Sequence, residues 1–118
     1  HRSFGEELAL CQRYYFQKID GDDQPLGVGT YVSSSQIRVS VSFPTVMRAT
    51  PTVITSNATD HFDTFAPDDN FDGNWQLLQV STTGIIIYSA TNVSGTTSYS
   101  VVIRSINSSA ELAFNSEL

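Results

Sequence analysis

The chain has 118 residues, 40 % of them apolar and only 15 % charged, with a formal net charge of −6. That length suits one domain with one core. Six Lys plus Arg cannot build the basic patch that phosphate backbones or acidic membrane surfaces need, so neither nucleic acid nor a membrane is an expected partner. No apolar run approaches the roughly 20 residues that cross a bilayer. Ser, Thr and Asn are abundant instead, which gives a neutral, hydroxyl-rich surface. The single cysteine, Cys11, excludes an internal disulfide framework. The sequence opens at His1 with neither an initiator Met nor a signal peptide, so a piece or processed product of a longer protein is expected.

Residues 1–19 are the one segment that reads as a helix, running into the first strand. Ser3 and Glu6 have the S-x-x-E spacing of a capping box. Phe4, Leu8, Cys11 and Tyr15 recur at helical spacing and form one apolar stripe, with Cys11 as a small buried hydrophobe. A short helix cannot bury such a stripe alone. It lies on its own sheet or packs against copies of itself, and the residues alone leave both open.

Beyond Ile19 the period switches from 3.6 to 2. Asp20 to Asp23 is a turn, and Val28 to Val32 a short strand. Gln36 to Phe43 alternates cleanly, with Ile37, Val39, Val41 and Phe43 on one face and Gln36, Arg38, Ser40 and Ser42 on the other. Thr52 to Ser56 is the next strand. Asn57 to Asn74 reads as a long polar loop holding five aspartates and three phenylalanines. Trp75 to Ser81 and Gly84 to Ala90 make a hairpin. Ser98 to Ile106 and Ala110 to Phe114 complete about seven strands, which predicts a mainly β fold: a helix followed by an antiparallel, jelly-roll-like β-sandwich over 20–118. The inward faces supply one modest core, marginal by itself, which favours oligomerisation.

Two stretches carry a family resemblance. Arg2-Ser-Phe-Gly-Glu-Glu-Leu-Ala-Leu-Cys-Gln-Arg-Tyr-Tyr15 resembles a signature in structural proteins of tailed phages and related environmental viruses, where it opens a C-terminal β-rich domain. Phe43-Pro-Thr-Val-Met-Arg-Ala-Thr-Pro-Thr-Val53 is similar to an F-P-x-x-M-R-A-x-P-T-V element further along such domains. The resemblance covers about a fifth of the chain. It implies a virion-surface protein of tail-fibre or spike type, or alternatively a purely structural decoration or cement protein, with other virion proteins as partners. Phage appendages are usually trimers, which implies a homotrimer with Phe4, Leu8, Cys11 and Tyr15 at the interface.

Candidate sites lie mainly in residues 57–75, with Tyr31 apart from them. Aromatic faces beside Asn, Asp and Ser suit sugar binding through stacking and directional hydrogen bonds. Trp75, Tyr31, Phe65, Asp63 and Asn70 are therefore the expected carbohydrate-binding residues, for a host-surface glycan. Asp68-Asp-Asn-Phe-Asp-Gly73 matches the opening of a calcium loop, with Asp68, Asn70 and Asp72 as oxygen donors. Gln79 stands where an EF-hand needs its bidentate Glu, so only a calcium site of another kind is expected, set against an acidic turn bonding its own backbone. No other cofactor is implied. His61 and Asp63 have the makings of a base and its orienting carboxylate, but no G-x-S-x-G elbow accompanies them and no spacing singles out a carboxylate pair, so an enzyme is not expected and a glycan hydrolase ranks last.

Overall fold

The computed structural model describes residues 3–65 and 69–116, apart from the side chains of Ala9 and Phe65. The helix, α1, spans Phe4–Gln12. Ser3 caps it: its Oγ accepts the Glu6 N–H at 3.3 Å and its carbonyl the Glu7 N–H at 3.1 Å. Glu6 and Glu7 then set negative charge at the positive end of the helix. The helix stops well short of Ile19. Tyr15 therefore lies in a strand and not on a helical stripe. The aromatic run Tyr14-Tyr15-Phe16 favours extended backbone, and β1 (Tyr15–Asp20) pairs with the last strand of the chain.

The remaining strands are β2 (Pro25–Ser33), β3 (Gln36–Ser42), β4 (Thr52–Thr55), β5 (Asn57–Phe65), β6 (Asp69–Gly73), β7 (Gln76–Val80), β8 (Gly84–Ser89), β9 (Ser100–Ser105) and β10 (Glu111–Asn115). All pairings are antiparallel. A small sheet runs β1-β10-β4 and a large one β6-β5-β9-β2-β3-β8-β7. The fold is mainly β, as expected, with a short N-terminal helix.

Topology forces the large sheet to curl. Its two edge strands, β6 and β7, are joined by Asn74-Trp75 alone. Laid flat, seven strands would set those edges about 29 Å apart, whereas the link reaches about 11 Å. The sheet therefore bends into a half-barrel until the ends meet. At the seam Asp72 N–H donates to the Thr91 carbonyl at 3.2 Å, Asn74 Nδ2 to Thr91 Oγ1 at 3.3 Å, and Ser89 Oγ to the Gly73 carbonyl. The small sheet closes the open side with Ile19, Leu112 and Phe114.

The segment expected to be a long loop, residues 57–74, is instead the hairpin β5–β6. Phe62 and Phe71 face each other across it and stack at 5.8 Å between centroids. Trp75 meets both edge-on, at 5.7 and 5.6 Å. This trio lies within a continuous core that also holds Tyr31, Met47 and Ile103. The core closes within one chain. The helix residues Phe4 and Leu8 take no part in it and stay exposed.

Candidate functional site

The expected carbohydrate-binding residues do not converge on one surface. Trp75 is 0 % and Tyr31 1 % exposed, so neither presents a ring to a ligand. The Tyr31 hydroxyl shares a hydrogen bond with Thr64 Oγ1 at 3.3 Å inside the core. Asn70 is exposed, Asp63 is buried, and the Phe65 side chain lies outside the described residues.

Asp63 is committed to Arg104, its cross-strand neighbour on β9. Arg104 donates from Nε to Asp63 Oδ1 at 2.9 Å and from Nη2 to Oδ2 at 3.2 Å, a two-pronged grip. That grip occupies both oxygens of the carboxylate that would have oriented His61. His61 sits beside it on β5, buried, and its Nδ1 has no hydrogen-bond partner among the described residues. Arg104→Met would leave a buried carboxylate uncompensated. Because the Arg104 side chain is about a third exposed, the expected loss is about 1–3 kcal/mol, read by urea unfolding.

Of the expected calcium donors, Asp68 lies outside the described residues, and Asn70 and Asp72 stand on strand β6 rather than in a loop. Asp72 is buried and already engaged. Its Oδ1 accepts the Asp60 N–H at 3.0 Å and its Oδ2 the Asn92 Nδ2–H at 2.7 Å. Both donors have left-handed backbone, at φ 57° and 59°. Asp72 thus ties β5 to the loop after β8, which is a structural use of an acidic residue. Among the described residues no three His, Cys, Asp or Glu side chains come together as metal ligands.

The two stretches that carry the phage resemblance meet in space. Arg48 N–H donates to the Arg13 carbonyl at 2.9 Å, and Thr45 Oγ1 to Gln12 Oε1 at 3.4 Å. The Arg48 guanidinium lies 5.5 Å above the Tyr14 ring, and Phe16 packs edge-on against Phe43 at 6.2 Å. Ser116 adds bonds to the Tyr14 and Arg13 carbonyls, at 2.8 and 2.7 Å. The base of α1 is therefore clamped from two directions. The stripe above it is not covered: Phe4 is 83 % and Leu8 46 % exposed, and Cys11, expected to be buried, is exposed too. Among the described side chains of the helix, Leu10 and Gln12 are half-buried.

A second surface was not anticipated. The outward face of the large sheet carries two adjoining grooves of roughly 550 and 340 Å³ that share Ser40, Gln79 and Ile86. β3 forms the floor. β7, whose pairing with β8 shifts register between Leu77 and Gln79, lines one side with Leu78 and Gln79, and Val28 of β2, two-thirds exposed, lines the other. The signal was present in Ile85-Ile86-Ile87, an unbroken apolar run whose middle residue must face outward. Among the described residues no helix is long and apolar enough to cross a membrane. No family model, curated protein or solved structure matches this chain.

Proposed function

We propose that this chain is a virion-surface domain of tail-fibre or spike type, which trimerises through α1 and presents its sheet outward to a host-surface carbohydrate. The observation that carries this reading is the uncovered stripe of Phe4, Leu8 and Cys11 on a helix whose base is clamped. A helix of nine residues is too short to persist in water on its own. Holding it in place costs conformational entropy, and a phenylalanine facing water offsets none of that cost. Covering the stripe with copies of itself supplies about 1.5–3 kcal/mol for each large side chain buried. The second motif stretch serves as the seat for the helix, which accounts for the two resembling segments occurring together.

The expected solution state is a trimer, measured by analytical ultracentrifugation over a range of concentrations. Phe4→Ser with Leu8→Ser is expected to weaken association about a hundredfold or more while leaving the melting temperature of the sandwich near that of the parent. An added thiol oxidant would also join two of the three Cys11 side chains of a trimer in one disulfide, leaving the third free, so a covalent dimer is expected from the parent and not from the double variant. A parent chain that stays monomeric at high concentration overturns the reading.

A further inference from the structure

The outward face of β3 shows a row of Gln36, Arg38, Ser40 and Ser42, which spans about 20 Å at strand spacing. Cross-strand partners flank it: Thr30 on β2, and Tyr88 and Ile86 on β8. None of these neighbours is charged, and neither groove contains a carboxylate. Arg38 is thus an isolated cation on a chain of net charge −6. Its Nε–H donates to Gln36 Oε1 at 3.1 Å, which aligns it along the strand, and no carboxylate among the described residues pairs with it.

We propose that this groove is the carbohydrate site, and that its ligand is an extended, sparsely acidic glycan lying along β3. The proposal rests on the reading above that the domain meets host carbohydrate, and it names the ligand class and the residues. Ser40, Ser42 and Gln79 supply neutral hydroxyl and amide partners for sugar hydroxyls. Ile86, Val28 and Leu78 supply apolar surface for the C–H faces of the rings. Arg38 takes a carboxylate in two-pronged fashion. A densely charged polymer is disfavoured by the net negative charge, whereas isolated carboxylates spaced along a neutral chain meet only the one cation.

The test is a glycan array that holds neutral oligosaccharides, uronic- or sialic-acid-bearing ones, and carboxyl-reduced versions of the latter. It is probed with the assembled wild-type protein, with R38Q, with R38K and with S40W. The acid-bearing glycans are expected to bind and their reduced forms to bind about tenfold or more weakly. R38Q should show the same loss and R38K a partial rescue, with melting temperatures unchanged, and S40W should bind nothing. Glycan binding undiminished in both R38Q and S40W overturns the groove as the site while leaving the carbohydrate reading in place. No glycan bound at all overturns both, and preferential capture of an extended peptide by the groove overturns the ligand class.

Discussion

Trp75→Ala is expected to lower the stability of this domain by about 3–5 kcal/mol, the largest loss from any single core truncation here. Trp75 is fully buried, and it occupies the link that brings the two edges of the curled sheet together. Its ring meets Phe62 and Phe71 edge-on, so its removal takes away two aromatic contacts as well as apolar burial. Its backbone N–H donates to Thr55 Oγ1 at 3.1 Å, which fixes the seam against the small sheet and limits how far the surroundings can collapse into the space left behind. For a domain of this size the loss corresponds to a drop in melting temperature of roughly 10–20 °C. Trp75→Phe separates two causes. The indole Nε1–H is buried with no hydrogen-bond partner among the described residues, so the phenyl ring removes an unsatisfied donor while keeping most of the burial. Its expected cost is under about 1.5 kcal/mol. Equal losses in the two variants, measured by calorimetry, would mean that the full indole, and not an aromatic ring as such, is needed to fill the site.

Where the physics is local, the sequence is readable. Ile37, Val39 and Val41 alternate because β3 is half-buried, and all three lie in the core as expected. Ser3 caps its helix through an interaction three residues long. The β7–β8 hairpin closes around Ser81, whose Oγ accepts the Thr83 and Gly84 N–H groups. The hairpin β5–β6 escaped notice because its aspartates read as loop residues. Two of them, Asp63 and Asp72, are buried in strands where Arg104 and Asn92, far along the chain, reach them. Nothing near Asp63 or Asp72 in sequence announces those partners. The same limit explains the misplaced sugar site. An aromatic residue among polar neighbours serves equally well as a stacking platform or as a core anchor, and only the curl of the sheet decides that Trp75 and Tyr31 point inward. The groove is invisible for a related reason: it depends on which outward side chains of β3 and β8 fall opposite one another, with Ser40 facing Ile86, and on a bulge in β7. The helix boundary failed on period, since Phe4, Leu8 and Cys11 continue to Tyr15 at helical spacing although the chain has already become a strand.

Gly73→Ala is expected to be nearly as damaging as the loss of Trp75, although it adds a single methyl group. Gly73 ends β6 at φ 92°, a backbone setting that an L-residue with a Cβ adopts only under strain. The added Cβ would also stand 2.6 Å from Phe62 Cε2, 2.9 Å from Cδ2 and 3.0 Å from the Ser56 carbonyl oxygen. Phe62 cannot swing aside, because Phe71 stacks on it and Trp75 meets it edge-on. The Ser56 carbonyl is held in turn by the Asn74 N–H at 2.9 Å. Backbone strain and overpacking together are expected to cost about 2–5 kcal/mol, seen as a lower urea midpoint at unchanged slope. The same substitution at Gly5 is the internal control. Nothing lies within 4 Å of the position its Cβ would take, and the residue is helical, so alanine there adds about 0.5–1 kcal/mol of local helix preference. If Gly5→Ala and Gly73→Ala shift the midpoint alike, the two edges of the sheet do not meet at a tight seam, and the half-barrel on which both the core and the outward groove depend is not closed there.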